Sequence, residues 1–126
     1  MSVTPPHENF DIPVVHAIRK LYKEVYIGSG KVSKRDKLGI YAKIENTLIE
    51  CLSLLIEAAY KTRSEKKIVL ESARIKIEIS KQLIRTAHEI GAVSEDQYLR
   101  WQLSLQEISK MTNGWIKYLE TKNPPR

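Results

Sequence analysis

Apolar residues recur along the chain at the three- and four-residue spacing of amphipathic helices. In the first segment they are Val14, Ala17, Ile18, Leu21 and Val25. Asp11 is placed to cap this helix, and Pro13 is tolerated in its first turn. Gly28-Ser29-Gly30 is expected to end it. The pattern therefore predicts a first helix between Asp11 and this glycine-rich stretch.

A second segment has a wider apolar face. Ser33 and Asp36 form a Ser-x-x-Asp pattern that can cap its start. The apolar positions of the segment are Tyr41, Ile44, Leu48, Cys51, Leu55 and Ala58, joined by Ile49, Leu52 and Ile56. Such a wide face predicts a core helix that packs on more than one side. The single Cys51 has no partner for an internal disulfide and is expected to be a small buried hydrophobe.

The third segment, residues 65–90, contains an alternation that is typical of a strand. Ile75, Ile77 and Ile79 are all β-branched and alternate with polar residues. The segment is too long for a strand, however, and Gly91 stands where a helix C′ glycine belongs. We therefore predict a third helix. The short connection at residues 61–66 favours an antiparallel neighbour.

The fourth segment opens with Ser94-Glu95-Asp96-Gln97, which has the pattern of a capping box with acids in the first turn. Its near-heptad apolar positions are Tyr98, Trp101, Leu105, Ile108, Thr112, Trp115 and Leu119. Asn123 and the two prolines after it are expected to end the helix. Four helical segments without a clear strand predict an all-α, up-down-up-down four-helix bundle. Residues 1–126 form one domain, with flexible ends expected at 1–10 and 121–126.

Positive charge is concentrated in one part of the chain. The net charge is +6, and residues 17–43 alone account for it with eight basic side chains against Glu24 and Asp36. These eight, called the basic cluster below, are Arg19, Lys20, Lys23, Lys31, Lys34, Arg35, Lys37 and Lys43. Because clustered like charge opposes folding, the cluster indicates a negatively charged partner: nucleic acid, an acidic protein face or an anionic membrane. The alternative is a basic rim without function.

A second group of basic residues lies on the third helix. Its members, called the α3 row below, are Lys67, Arg74, Lys81 and Arg85. The seven-residue spacing of the first three puts them on one face, where they form a second strip of phosphate contacts or an ordinary solvated face. Glu71 and Glu78 support the second interpretation, because they follow Lys67 and Arg74 at ion-pair spacing.

Three tyrosines are interleaved with the basic cluster: Tyr22, Tyr26 and Tyr41. An exposed tyrosine among cations can stack on an unpaired base. Tyrosines at helical spacing also pack against their neighbours, so both interpretations stay open.

Catalytic motifs are nearly absent. Gly28-Ser29-Gly30-Lys31 resembles the end of a phosphate loop, but Val32 stands where that motif needs Ser or Thr. His88-Glu89 could begin a zinc-protease helix, but Ala92 takes the place of the second histidine. His88 is better explained as a dipole partner at a helix C-terminus. We expect no enzyme activity, no cofactor and no metal, and a small metal enzyme is the remotest alternative.

Targeting signals are not apparent either. The first ten residues have no basic region followed by an apolar run, so no secretory signal is expected. No stretch approaches the roughly 18 apolar residues of a membrane span. We expect a cytoplasmic protein without a membrane partner.

Two stretches resemble the accessory variability determinant (Avd) family of diversity-generating retroelements. Residues 43–48 (Lys-Ile-Glu-Asn-Thr-Leu) with residues 54–60 (Leu-Leu-Ile-Glu-Ala-Ala-Tyr) are similar to the second helix of that family. Residues 107–117 are similar to its closing Glu-Ile-Gly-x-x-x-Gly-Gly-Trp signature. Order and spacing agree over nearly the whole chain beyond the first ten residues. Related bundle proteins are encoded in intervening sequences of large ribosomal RNA genes.

The resemblance implies a pentameric barrel of four-helix bundles that binds RNA or DNA and is not an enzyme. It also implies association with a reverse transcriptase during error-prone copying of a template RNA into cDNA. The basic cluster, with Arg74, Lys81 and Arg85 on the third helix, would then contact nucleic acid or the polymerase. The rival interpretation is a protein-interaction bundle of the intervening-sequence type, whose basic patch docks an acidic partner.

Gly114 and Trp115 in the fourth helix have a physical interpretation of their own. Glycine inside a helix costs about 1 kcal/mol relative to alanine. Its presence therefore suggests a close backbone approach beside the large Trp115 ring. We expect these two residues at a helix contact or a subunit contact, and Trp101 in the core.

Overall fold

The computed structural model describes residues 12–121 of the 126-residue chain. The predicted cap Asp11 lies outside the described residues. The predicted flexible ends also lie outside them, except for Thr121, which is the last residue of a helix.

Four helices make up almost all of the described chain. Helix α1 spans Pro13–Ser29. Helix α2 has three consecutive parts, Lys34–Asp36, Lys37–Tyr41 and Ala42–Tyr60. Helices α3 and α4 span Arg63–Glu89 and Glu95–Thr121. No strand occurs within residues 12–121, so the predicted all-α class is confirmed there.

The helices are antiparallel to their neighbours and form a closed ring of four. Helix α1 packs against α2 and α4, and α3 packs against the same two helices. The α1–α2 and α3–α4 connections lie at one end of the bundle, called the upper end below. The α2–α3 connection, reduced to Lys61 and Thr62, lies at the lower end. This is the predicted up-down-up-down bundle.

The two predicted side-chain caps that lie within the described residues, Ser33 and Ser94, both form. The Ser33 hydroxyl accepts a hydrogen bond of 3.1 Å from the backbone N–H of Asp36 at the start of α2. At the start of α4, the Gln97 N–H donates to Ser94 Oγ and the Ser94 N–H donates to Gln97 Oε1, each over 3.1 Å. These bonds satisfy N–H groups that have no partner inside the helix.

The end of α3 has the predicted glycine geometry. Gly91 has φ +84°, in the left-handed region that glycine adopts without a steric penalty. The Ala92 N–H donates to the Ala87 carbonyl over 2.8 Å, and the Gly91 N–H donates to the His88 carbonyl over 3.0 Å. This pair of bonds is a Schellman motif, which turns the chain sharply into α4.

The core contains most of the apolar positions that the sequence predicts. Every predicted stripe position of α2 from Tyr41 to Ala58 is buried, and so is Trp101. Cys51 is fully buried and its thiol donates to the Ala73 carbonyl over 3.7 Å. The expected width of the α2 face is only partly confirmed, because Leu52 and Ile56 are half-buried and Ile49 is exposed.

Tyr41 of α2 contacts both the α3–α4 connection and α4 at the upper end. Its hydroxyl donates to the Ala92 carbonyl over 3.0 Å, and its ring meets the Trp101 ring edge to face at 6.3 Å. Gly28 of α1 also lies against the Trp101 ring. A Cβ added at Gly28 would lie 3.3 Å from Trp101 Cη2 and 3.2 Å from Gln97 Nε2. The close backbone approach of this bundle is therefore at Gly28.

The alternating isoleucines of α3 lie on a helix, as predicted. Ile77 is fully buried, whereas Ile75 and Ile79 are 60% and 40% exposed. They continue a row of exposed uncharged side chains along α3. This row, called the isoleucine face below, is formed by Ile68, Ser72, Ile75, Ile79, Gln82 and Thr86.

A π-helical turn interrupts the start of α2. It spans Lys37–Tyr41, between a single α-helical turn and the long α-helical part. The sequence pattern did not predict it. π-Helical turns are rare and often lie at functional sites, and this one lies within the basic cluster.

Candidate nucleic-acid interface

The basic cluster extends from the middle of α1 to the upper end of the bundle. Helix α1 carries Arg19, Lys20 and Lys23, and the connection to α2 carries Lys31. The first turns of α2 carry the remaining four, Lys34, Arg35, Lys37 and Lys43. All eight side chains are exposed. The fold therefore presents the whole predicted cluster to solvent.

The positive charge of this cluster is not compensated by ion pairs within the described residues. Within residues 12–121, none of its eight side chains forms an ion pair. Glu24, one of the two acids in that stretch, instead pairs with Arg100 of α4 over 3.7 Å. Positive potential at the upper end is thus reduced less than the sequence alone suggests.

Helix electrostatics do not explain the cations at the start of α2. The N-terminus of a helix carries a partial positive charge, so acids stabilise it and cations oppose it. Lys34 and Arg35 occupy the first two positions of α2, directly after the Ser33 cap. Their charges weaken this helix end, which favours a role outside the fold.

The α3 row is different, because each of its cations has an acidic partner. Lys67 pairs with Glu120 of α4 over 3.0 Å, and Lys81 pairs with Glu78 over 3.0 Å. Arg85 pairs with Glu89 over 3.3 Å.

Arg74 completes this pattern. It pairs with Glu71 and also donates to Asn113 Oδ1 over 3.3 Å. The sequence pattern paired Glu71 and Glu78 with the cation four residues before each. In the structure each instead pairs with the cation three residues after it, which is Arg74 for Glu71 and Lys81 for Glu78. Such exposed pairs contribute about 0–1 kcal/mol and are easily exchanged, but they already reduce the field of the row.

Gly114 does not make the close approach predicted inside the bundle. It is exposed, and beyond its chain neighbours and the backbone of its own helix no atom lies within 4 Å of the position its Cβ would take. That part of the prediction is wrong, because Gly114 lies on the outer side of α4. Trp115 is half-buried against the core and borders a shallow apolar groove with Ile12 and Met111. A subunit contact at Gly114 and Trp115 stays a prediction.

His88 and the phosphate-loop-like stretch at residues 28–31, the two catalytic motifs considered from the sequence, both take part in contacts or helical structure of the bundle. The His88 ring stacks on Tyr98 at 4.4 Å between ring centres, and its Nε2 lies 2.9 Å from a Glu95 carboxylate oxygen. Gly28 and Ser29 are the last residues of α1, so the phosphate-loop-like stretch begins within a helix. Within residues 12–121, no group of three His, Cys, Asp or Glu side chains is placed to hold a metal ion.

Sequence reasoning missed a groove between α1 and α2. It has a volume of about 320 Å³ and is lined by Arg19, Tyr22, Lys23, Leu48, Ile49 and Leu52. One feature of the sequence could have indicated this groove. The spacing of Arg19, Tyr22, Lys23 and Tyr26 puts cations and tyrosines on one side of α1. Ile49 and Leu52 form the apolar side of the groove. The sequence pattern had predicted both for the core, because α2 was expected to have a wide buried face.

The described chain is thus an antiparallel four-helix bundle with one basic end that no ion pair within residues 12–121 compensates. Comparison with known families agrees with this fold and narrows it. The chain belongs to the bAvd-like family, whose model matches residues 14–119. The matched region includes the basic cluster and almost all of the four helices. No curated protein and no solved structure shows significant similarity to the chain.

None of the helices between residues 12 and 121 is both long enough and apolar enough to cross a bilayer.

Proposed function

We propose that this protein is a non-enzymatic accessory factor of a retroelement reverse transcriptase and that it binds nucleic acid through its basic cluster. It acts in the cytoplasm, where it holds template RNA or cDNA for the polymerase during mutagenic copying. Membership of the bAvd-like family supports the accessory role.

The single observation that carries the nucleic-acid part is the unpaired state of the basic cluster. Eight exposed cations occur without an ion-pair partner among the described residues, while the α3 row is fully paired. Phosphate groups supply the missing negative charge, and release of their counterions supplies much of the binding free energy. Lys34 and Arg35 strengthen the argument, because their position at a helix N-terminus opposes the helix dipole.

The proposal includes assembly into a homo-oligomer, with the pentamer of Avd-type proteins as the expected form. The isoleucine face supports it. Ile68 and Ile75 are 69% and 60% exposed in the single chain, and no charged residue interrupts the row they belong to. Three exposed isoleucines on one uncharged helix face are more apolar surface than a solvated helix usually presents, and such surface is typical of protein contacts.

A protein-docking bundle of the intervening-sequence type is the second candidate. One observation favours it: Ile27 and Leu38 lie among the cations and are each 65% exposed. Apolar side chains between basic ones suit an acidic protein face better than a row of phosphates. The two candidates therefore differ in whether the basic cluster meets a polyanion or a folded partner.

Binding to a structured RNA in a salt series tests the nucleic-acid part. The test variant replaces Lys34, Arg35 and Lys37 with Ala. The matched control replaces Lys67, Lys81 and Arg85 with Ala, which removes the same formal charge from paired cations. Fluorescence anisotropy would report log K against log salt, with a slope of roughly −0.7 to −0.9 per phosphate contact.

We expect the test variant to bind more weakly and to have a slope that is shallower by about 2 to 3, with a much smaller change in the control. Equal losses in both variants would mean that only net charge matters. No RNA binding by the unmodified protein at physiological salt would refute this part and favour protein docking.

Association with the polymerase needs its own measurement. The unmodified chain and both variants would be co-purified with a reverse transcriptase encoded beside them, after nuclease treatment. Retention of the polymerase without nucleic acid supports direct association. Loss of the polymerase from the unmodified chain after nuclease treatment would show that RNA alone links the two proteins.

A further inference from the structure

The groove between α1 and α2 combines positive charge with apolar surface. Helix α1 contributes Arg19, Tyr22 and Lys23, and α2 contributes Leu48, Ile49 and Leu52. No acidic side chain is among these lining residues. Arg19 and Lys23 are exposed and form no ion pair within residues 12–121. The groove therefore favours a ligand that has both an anionic part and an apolar part.

An exposed aromatic ring continues this side of α1 towards the upper end. Tyr26 lies one helical turn after Tyr22, and the two rings are stacked at 6.3 Å with an interplanar angle of 23°. Tyr26 is nevertheless 60% exposed, so much of its ring remains accessible. Arg19, Tyr22, Lys23 and Tyr26 are spaced by three, one and three residues. Cations and rings thus alternate along one line.

The small size of the groove favours a nucleotide over a docked helix as its ligand. From Arg19 to Lys23 the axis of α1 advances by about 6 Å. A helix that docks through its i and i+7 residues needs about 10 Å of groove. A volume of about 320 Å³ suits one small ring system and its substituents. These dimensions fit a nucleotide better than a helical peptide.

The accessibility of base faces then favours a single strand over a duplex as the ligand. In a duplex the base faces are stacked on each other, and only phosphates and base edges are available. A single strand offers phosphates to the cations and base faces to tyrosine and aliphatic side chains. Along a duplex, the apolar lining and the exposed ring would find no base face to contact.

We propose that the α1–α2 groove and Tyr26 bind an unpaired segment of single-stranded nucleic acid. Arg19 and Lys23 contact its phosphates, a base enters the groove against Ile49 and Leu52, and a neighbouring base stacks on Tyr26. This inference rests on the nucleic-acid binding proposed above and adds the class of ligand. It assigns the template or product strand, rather than a folded stem, to this part of the basic cluster.

Two labelled ligands and two single variants test it. The ligands are an unstructured 20-nucleotide RNA and a blunt RNA duplex of the same length. The variants are Tyr26→Ala and Ile27→Ala, because Ile27 is the next residue on the helix and is similarly exposed at 65%. Tyr26→Phe is the conservative variant that keeps a ring. Circular dichroism melting would establish that all variants stay folded.

We expect Tyr26→Ala to lose about 5- to 150-fold in affinity for the single strand, the range for removal of one stacked ring. The salt slope should not change, because no cation is removed. Tyr26→Phe should retain the affinity, and Ile27→Ala and all duplex affinities should change little.

Other outcomes are equally informative. Similar losses for single strand and duplex, or an unaffected single strand, would overturn this inference while leaving the proposed function intact. Absence of binding to both ligands by the unmodified protein would instead refute the proposed function. Displacement of bound single strand by an acidic helical peptide, lost in Tyr26→Ala but not in Ile27→Ala, would assign the groove to a protein partner and overturn the inference.

Discussion

Ionisation of Cys51 is expected to lower the stability of the fold above pH 9. The side chain is fully buried, and this burial raises the pKa of its thiol from 9.0 to about 12, with a smaller opposing effect of Lys76. Between these two pH values only the unfolded chain loses the proton. The stabilising contribution is therefore complete below pH 9 and is lost progressively as the pH rises towards 12.

The magnitude follows from the two pKa values. At pH 10 an unfolded thiol with a pKa of 9.0 is about nine-tenths ionised, which lowers the free energy of the unfolded state by about 1.4 kcal/mol. The folded thiol is about 1% ionised at that pH and gains almost nothing. The result hardly changes for any folded pKa above about 11, since the folded thiol then stays almost fully protonated at pH 10.

Urea unfolding of the unmodified protein and of Cys51→Ala, at pH 8 and pH 10, measures this effect. Burial also raises the pKa of Tyr41, with a smaller contribution from Asp36, so other groups add to the loss at high pH. Subtracting the pH dependence of Cys51→Ala removes them, and about 1.4 kcal/mol should remain. If both proteins lose the same stability between the two pH values, the thiol ionises equally in the folded and unfolded states and the reasoning is wrong.

Three further predictions concern the fold and its assembly. Tyr41→Phe leaves the buried Ala92 carbonyl without its donor and should lower the free energy of unfolding by about 1–3 kcal/mol in urea; a loss below about 0.5 kcal/mol would contradict this. Gly91→Ala puts a Cβ at φ +84° and should cost about 1–2 kcal/mol in thermal unfolding, more than Gly91→Asn, and equal stability of the two variants would refute it. Ile75→Asp should reduce the oligomer mass in light scattering at unchanged helix content. Leu103→Asp, at a similarly exposed position of α4, serves as its control, and an unchanged mass for Ile75→Asp would exclude the isoleucine face from the subunit contact.

The parts of the fold that the sequence predicted are those with local causes. The Ser94–Gln97 capping box and the Gly91 turn depend on a few consecutive residues, so their patterns were sufficient. The length of α3 and the C′ glycine correctly outweighed its three alternating isoleucines. Burial of Cys51 followed from the helical spacing of its apolar neighbours.

The features that the sequence left undetermined depend on neighbouring helices. Gly114 and Gly28 both lie within helices, but only Gly28 faces a large side chain, Trp101 of another helix. The pairing of Lys67 with Glu120 joins α3 to α4, and spacing along α3 cannot specify it. The groove between α1 and α2 likewise arises from two helices, so neither segment alone predicted it.

The direction in which Lys34 and Arg35 point from the bundle depends on the number of residues in the π-helical turn. Each residue of an α-helix advances the chain by about 100° around the axis. Deleting one residue from this turn, for example Gly39, would let α2 run as a regular α-helix into Tyr41. Lys34 and Arg35 would then rotate by about a quarter of a circle relative to the core. Single-residue insertions and deletions here, rather than substitutions, are therefore the evolutionary steps that would redirect the charged end of this bundle towards a different partner.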